Sequence, residues 1–118
     1  MKAKARTKKA DGMNRSERQY ATHLQEQLIA GRIARWDREP ESLRLADNTT
    51  YRPDFRVVAL DGTVEMHEVK VGGARYYDPA FHHAHRDGWV KLKVAAELHP
   101  YTFFLVWPDK GEWKRREI

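Results

Sequence analysis

The order of hydrophobic patterns along the chain predicts a fold of helices and strands, α/β in the broad sense and α+β in the narrower one. We expect one mixed β-sheet of four to five strands, flanked by helices. Two segments, near residues 14–31 and 88–99, repeat apolar residues at helical spacing. Short segments rich in β-branched and aromatic residues lie between and after them, and these predict strands. The expected order of elements is αβββαβ, with a further strand at the carboxyl end.

A basic arm and one domain account for the 118 residues. Residues 1–13 lack periodicity and predict a disordered arm, while residues 14–118 form a single domain with one core. The formal net charge of +5 is concentrated in the arm, because residues 1–11 hold five basic residues, including Lys8 and Lys9, and one acid. Such arms bind nucleic-acid phosphates through counterion release, although a solubilising terminus has the same composition.

The composition also limits the compartment and the chemistry. The sequence has no cysteine, which excludes a disulfide framework and a cysteine-based zinc site and fits a reducing cytoplasm. No apolar run reaches membrane-spanning length and no signal peptide is visible. We therefore expect a cytoplasmic protein without a membrane partner.

The first helix is predicted to begin at Ser16, with Gln19 completing a capping box, and to end at Gly31. Its buried stripe consists of apolar residues at helical spacing: Tyr20, Ala21, Leu24 and Leu28. Glu17 lies on the same stripe. Its carboxylate could reach a site beside the buried face, or it could be a first-turn acid favoured by the helix dipole.

Three strands are predicted between the helices. Residues 33–46 form the first strand, interrupted near Pro40. Residues 51–60 and 63–71 form a hairpin whose turn contains Asp61 and Gly62.

The length of that turn decides which side chains share a face of the hairpin. Glu68 and Lys70 are two residues apart, so they point the same way. A two-residue Asp-Gly loop would place Asp54 opposite Val69, on the wrong face, because a slip of one residue reverses every side chain. A three-residue loop with Gly62 in the left-handed conformation, or an equivalent bulge, would place Asp54 opposite Glu68.

Two carboxylates and a lysine on one face are the groups that metal-assisted cleavage of a phosphodiester requires. Carboxylates bind a hard cation such as Mg²⁺, which neutralises charge on the phosphate and acidifies a bound water. A lysine orients that water or stabilises the transition state. Asp54, Glu68 and Lys70 are therefore candidate catalytic residues. A site that joins them predicts the three-residue loop, or a bulge with the same effect.

The residues Pro53-Asp54 and Glu68-Val69-Lys70 resemble the signature of the PD-(D/E)xK nuclease superfamily. The longer run from Leu43 to Lys70, and the elements around it, resemble small phage-type nucleases related to Holliday-junction resolvases and virus-type replication and repair nucleases. The resemblance covers residues 14–107. It implies a restriction-endonuclease-like core and a Mg²⁺-dependent endodeoxyribonuclease, with Mn²⁺ as a substitute, encoded by a phage or prophage.

The same resemblance implies roles for individual residues. Asp54 and Glu68 would bind the metal together with the main-chain carbonyl of Val69. Lys70 would position or activate the attacking water, and Glu17 would support the metal or a second one. Water would attack in line and expel the 3′ oxygen.

Residues 72–87 show neither helical nor strand periodicity and predict a long loop that leaves the edge of this site. Arg75 and Tyr76 could contact a DNA backbone or stack on bases. The three histidines that follow match no standard zinc spacing, so a surface loop is favoured over a zinc site.

The second helix is predicted over residues 88–99, with Asp87 as its cap. Apolar residues on two of its sides predict a helix packed on both: Trp89, Leu92 and Ala96 on one, Val90, Val94 and Leu98 on the other. Lys93 shares the stripe of Trp89, from which it could steady a phosphate. It could equally extend along the surface and pair with Glu97.

The remaining residues predict two strands. Residues 101–107 form an apolar run bounded by prolines, which predicts a central strand buried on both faces. Residues 113–118 predict an edge strand that is blunted by basic side chains.

Two other classes of protein fit the same residues. A non-catalytic DNA-binding module on this fold would keep the basic arm without a productive metal site. A phage structural or assembly protein would carry Glu68 and Lys70 as ordinary strand surface. The DNA substrate stays open between duplex, junction, flap and single strand, and a junction resolvase would need two symmetric sites, hence a homodimer.

Overall fold

The computed structural model describes residues 12–72 and 86–118, without the side chains of Arg86 and Asp87. Two helices lie in these ranges, α1 at Arg15–Ile29 and α2 at Arg86–Leu98. The strands of the described residues are β1 Ile33–Arg38, β2 Leu43–Ala46, β3 Thr49–Tyr51, β4 Phe55–Ala59, β5 Val64–Val69, β6 Thr102–Asp109 and β7 Glu112–Glu117.

The main sheet has five strands in the order β1-β4-β5-β6-β7. Strands β5 and β6 are parallel, and the other neighbours in this sheet are antiparallel. The connection between the parallel strands contains α2, since a parallel pair requires a long crossover. The predicted α+β class and the mixed sheet with flanking helices are therefore confirmed.

The two helices cover opposite faces of this sheet, because successive side chains on each strand point to opposite sides. The core on the α1 face contains Tyr20, Ala21, Leu24, Phe55, Val57, Val69, Phe104 and Val106. The core on the α2 face contains Leu43, Tyr51, Met66, Leu92, Ala95, Phe103 and Leu105. Met13 packs against the α1-side core. Residues 1–11 of the predicted arm lie outside the described residues.

The predicted first strand over residues 33–46 is wrong, because its two halves belong to different sheets. Strand β1 pairs with β4 in the main sheet, whereas β2 pairs with β3 in a separate two-stranded ribbon. The chain turns between them at Glu39, which has a φ of 42°, and at Pro40, which has no N–H to donate to a ladder. Pro53 separates β3 from β4 in the same way and is fully buried.

The three-residue turn of the β4–β5 hairpin is confirmed. Gly62 has a φ of 90°, which only glycine adopts without strain. The N–H groups of Gly62 and Ala59 donate to the carbonyls of Ala59 and Thr63, each at 2.9 Å. The strands pair Val58 with Val64 and continue in register to Phe55 and His67.

The cap of α1 is Asn14 rather than Ser16. The Asn14 side chain accepts a hydrogen bond from the Glu17 N–H at 2.8 Å, and the Glu17 carboxylate accepts one from the Asn14 N–H at 3.0 Å. Asparagine and serine are similar caps in isolation. Asn14 has an acid three residues later, which completes the capping box, and the Ser16 hydroxyl donates to its side chain.

Helix α2 differs from its prediction in two ways. It begins at Arg86, two residues before the predicted start, so Asp87 lies inside its first turn. Leu92 and Ala95 are buried, but Val90 and Leu98 on the second apolar side are 49% and 56% exposed. The helix therefore packs mainly on one side, which lies against the β2–β3 ribbon and β6.

Strands β6 and β7 agree with their predictions. Residues 103–106 of β6 are buried on both faces, and β7 forms the edge of the sheet beside it. Neither helix in the described ranges is both long enough and apolar enough to cross a membrane.

Candidate active site

The two candidate carboxylates meet at one end of the hairpin. The observed register, continued by one residue past Phe55 and His67, places Asp54 opposite Glu68. Met66 belongs to the α2-side core, so Glu68 and Lys70, at alternate positions on the same strand, lie on that face. The sequence-predicted set of Asp54, Glu68 and Lys70 is thus brought together.

The Asp54 carboxylate accepts a hydrogen bond that a main-chain carbonyl would accept in a continuous sheet. The Val69 N–H, which would bond to a β4 carbonyl if the ladder continued, donates to Asp54 Oδ2 at 2.8 Å. The main-chain carbonyl of Asp54 accepts a hydrogen bond from the Glu39 N–H at 2.8 Å. These two bonds fix the carboxylate at the point where β3 gives way to β4.

Glu68 is held by two different donors. The Tyr51 hydroxyl donates to Oε1 at 2.6 Å, and Lys70 Nζ lies 3.6 Å from Oε2. The Glu68 side chain is 14% exposed, so these contacts fix its orientation. Sequence analysis missed Tyr51 as a site residue. The sequence offers only a modest signal for this role, namely that a tyrosine packed in a core usually needs a partner for its hydroxyl.

Burial and repulsion between like charges dominate the electrostatics of the pair. Burial raises the pKa of Asp54 well above its usual value, and the charge of Glu68 raises it further, against the effect of the Val69 hydrogen bond. Burial also raises the pKa of Glu68, opposed by the Tyr51 hydrogen bond and by Lys70. Raised pKa values from burial and a specific charged partner are typical of functional sites.

Glu17 adds a third negative charge to this region. It belongs to the half-buried first turn of α1, and its charge raises the pKa of both Asp54 and Glu68. Its carboxylate also closes the capping box with Asn14. Both predicted roles of Glu17 are therefore compatible with its position.

The oxygen atoms at this end of the sheet suit a hard cation. The Lys70 N–H bonds to the Val106 carbonyl of β6 at 2.9 Å, so the main-chain groups of Val69 point the other way, toward Asp54. In residues 12–72 and 86–118, no group of three or more His, Asp or Glu side chains is arranged to hold a metal. A cation here would be bound by two carboxylates, the Val69 carbonyl and water, and Mg²⁺ commonly retains several waters.

Of the predicted substrate-binding residues, Lys93 alone lies within the described ranges. The inward position of Lys93 is wrong, because Lys93 is exposed and its Nζ lies 5.5 Å from the centre of the Trp89 ring. Leu92 and Ala95, which are three residues apart and buried, form the inward stripe of α2 instead. Arg75, Tyr76, Lys8 and Lys9 lie outside the described residues.

A second polar cluster, which sequence analysis missed, lies on the α1 face. His67 is 4% exposed, with Nδ1 2.6 Å from the Tyr20 hydroxyl and Nε2 2.8 Å from Glu65 Oε1. The carboxylate can only accept, so Nε2 donates to it and Nδ1 accepts from Tyr20 when the imidazole is neutral. A cavity of about 140 Å³ opens beside this cluster. The cluster joins α1 to β5, which carries Glu68.

Comparisons with protein-family models, with curated proteins and with solved structures find no significant match to the chain. The function is therefore argued from the geometry and charge of the site.

Proposed function

We propose that the protein is a Mg²⁺-dependent endodeoxyribonuclease built on a restriction-endonuclease-like core. The observation that carries the proposal is the position of Asp54 and Glu68, two half-buried carboxylates opposite each other on one face, with Lys70 next to them. Burial of like charges is costly unless a cation or a proton compensates them. A divalent cation would relieve the repulsion that raises the pKa of Asp54.

Each carboxylate also has a structural role, which must be weighed against this proposal. Asp54 continues the ladder by accepting from Val69, and Glu68 accepts from the buried Tyr51. Neither role needs a charge, since an amide or hydroxyl oxygen accepts the same hydrogen bonds. The ion pair with Lys70 does favour a charge on Glu68. A structural role therefore leaves the second acid, Asp54, unexplained, whereas a cation site would use both.

The chain's own residues would divide the work of hydrolysis as follows. Asp54, Glu68 and the Val69 carbonyl would bind the cation, which when bound supplies charge neutralisation and a more acidic water. Glu17 would add negative charge beside them. Lys70, 3.6 Å from Glu68, would hold the attacking water and stabilise the negative phosphate. The water oxygen would form a bond to phosphorus and lose a proton to solvent, while the bond to the 3′ oxygen breaks and that oxygen takes up a proton.

The test is cleavage of a labelled DNA panel that includes supercoiled plasmid, linear duplex, single strand and a four-way junction. Each DNA would be incubated with Mg²⁺, with Mn²⁺ and with chelator. The matched variants are Lys70→Ala, at the site, and Lys93→Ala, an exposed lysine that faces the Trp89 ring. We expect metal-dependent cleavage by the wild type and by Lys93→Ala, and a loss of at least about 100-fold in Lys70→Ala.

The panel also distinguishes the alternatives. Equal cleavage by wild type and Lys70→Ala would contradict the proposed site. Salt-sensitive binding without cleavage would instead favour a DNA-binding module, and neither binding nor cleavage would favour a structural protein. Preference for the four-way junction would add the expectation of a homodimer, which sedimentation would detect.

A further inference from the structure

Two basic residues of the edge strand β7 lie on the same face of the sheet as the candidate site. Ile118 packs against the α2-side core and Trp113 against the α1-side core. Side chains alternate along a strand, so Lys114 and Arg116 share the face of Glu68 and Lys70. Arg115 points to the other face, with its guanidinium 4.4 Å from the centre of the Phe104 ring.

The pairing of β5, β6 and β7 aligns these basic residues with the site in two rows. Glu68 pairs with Leu105, and Leu105 pairs with Arg116. Two residues further along, the register continued by one residue past Val69 and Val106 places Lys70 beside Trp107, which pairs with Lys114. Each row crosses two strand spacings, so its ends are about 10 Å apart on the backbone.

The surface between the ends of these rows suits a nucleic-acid backbone. The row of Arg116 crosses β6 at Leu105, which is buried in the α2-side core, whereas the row of Lys114 crosses it at Trp107, which is half-buried. A nucleic-acid strand would therefore cross β6 at Trp107, where no charged group of β6 lies between Lys70 and Lys114. An acidic pair, Asp109 and Glu112, borders the row of Lys114 at the tip of the β6–β7 hairpin. The basic surface is therefore bounded by acidic residues on that side.

The present partner of Lys114 competes weakly for it. Lys114 Nζ lies 4.0 Å from Glu112 Oε1, and the two side chains are 46% and 75% exposed. Exposed pairs of this kind contribute little. A phosphate can therefore replace Glu112 as the counterion of Lys114 at small cost.

We propose that Lys114 and Arg116 bind phosphates of the DNA strand that is cleaved, so that the strand crosses β6 from Lys70 to β7. The inference rests on the proposed function, because it takes the scissile phosphate to lie at Lys70. A duplex advances 3.4 Å per nucleotide along its axis, so about 10 Å corresponds to about three nucleotides. The substrate would therefore need to extend a few nucleotides beyond the cleaved bond on this side.

Basic residues on an edge strand also prevent pairing with other strands, and this role alone makes no distinction between the two faces of β7. Phosphate binding does, because it needs the face that carries Glu68 and Lys70. Arg115 is the matched control, since it has the same charge and lies on the same strand but on the opposite face.

The experiment measures binding of a labelled duplex in chelator, where no cleavage occurs, over a series of salt concentrations. The proteins are the wild type, Lys114→Gln, Lys114→Gln with Arg116→Gln, and Arg115→Gln. The slope of log K against log salt is negative, and each lost phosphate contact decreases its magnitude by about 0.9. We expect a decrease of about 1.8 for the double variant, about half of that for Lys114→Gln, and little change for Arg115→Gln. Melting temperatures would verify that all four proteins are folded.

Three results would overturn the inference. An unchanged slope in the double variant would refute the contacts, and continued metal-dependent cleavage by the wild type would show that the proposed function stands. If the magnitude of the salt slope fell by the same amount per charge removed in the double variant and in Arg115→Gln, the effect would be one of net charge in general. Absence of any DNA binding by the wild type would remove both the inference and the proposed function.

Discussion

At the level of single residues, Asp54 and Glu68 are unfavourable partners in the metal-free protein. Both are half-buried, partial burial raises both pKa values, and the charge of Glu68 raises that of Asp54 further. Each folded-state pKa lies above its usual value, so each group binds its proton more tightly in the folded protein than in the unfolded one. The stability that this contributes is present at low pH and is lost as the pH rises through the folded pKa.

The first prediction concerns this loss of stability. In chelator, the melting temperature of the wild type should fall relative to that of Asp54→Asn as the pH rises from about 4, the usual pKa of an aspartate. The amide of the Asp54→Asn variant does not ionise, so the variant lacks the part of the pH dependence of stability that comes from Asp54. Thermal melts of both proteins from acid to neutral pH give the difference, and parallel curves would contradict the assigned shift.

A second prediction concerns Tyr51, whose hydroxyl lowers the pKa of Glu68 by donating to it. Tyr51→Phe should raise that pKa further, so Glu68 would ionise at higher pH. The acid limb of the pH–rate profile for cleavage should therefore move to higher pH, and raising the pH should restore activity. A uniform loss of rate at every pH would show that Tyr51 acts in another way.

At the level of elements, the hydrogen bonds from Tyr20 to His67 and from His67 to Glu65 tie α1 to β5. Strand β5 carries Glu68 and Lys70, while α1 carries Glu17. A second hydrogen bond, from Trp36 Nε1 to Gln25 Oε1 at 3.0 Å, joins α1 to β1 at the surface. The buried contact therefore has the greater effect on how α1 lies against the strand of the site.

The third prediction compares these two contacts. Tyr20→Phe leaves a buried nitrogen of His67 without its partner and should lower the free energy of unfolding by about 1–3 kcal/mol. Gln25→Ala removes an exposed hydrogen bond and should cost less than about 1 kcal/mol. Urea denaturation of both variants gives the comparison, and equal costs would contradict the importance of the buried cluster.

Local chemistry explains which elements were predictable from the sequence. The turn residues alone left the hairpin register open, because Asp61 and Gly62 fit a two-residue loop as well as a three-residue one. The requirement that Asp54 lie opposite Glu68 favoured the three-residue loop, and the observed register agrees with it. The separate β2–β3 ribbon was not predicted, although its two strands are joined by a short turn after Ala46. What holds the ribbon apart from the main sheet is its packing against α2, which depends on contacts distant in sequence. The same applies to the partners of Glu68 and Tyr20, which lie 17 and 47 residues away along the chain.

At the level of the whole molecule, the charge is unevenly distributed between the domain and its amino-terminal segment. Residues 1–11 carry five of the 22 basic residues and one of the 17 acidic ones. The rest of the chain has 17 basic and 16 acidic residues. Affinity for DNA would thus depend on this segment together with local basic surfaces such as that of Lys114 and Arg116.

The fourth prediction follows from this distribution. Removal of residues 1–11 should weaken duplex binding regardless of sequence and reduce its dependence on salt, because up to five phosphate contacts are lost. The cleavage rate at saturating DNA should change little, since the candidate site lies elsewhere. Binding across a salt series and cleavage at saturation measure the two effects. Unchanged salt dependence would indicate that the segment serves solubility alone.

The central claim is that Asp54 and Glu68 together bind a divalent cation. Its most direct test is calorimetric titration of Mn²⁺ into the wild type, Glu68→Gln, and the control Glu41→Gln, an exposed acid that contacts Arg56. We predict binding by the wild type and by Glu41→Gln, and its loss in Glu68→Gln. Equal binding by all three proteins, or none by the wild type at millimolar Mn²⁺, would contradict the assignment of this site.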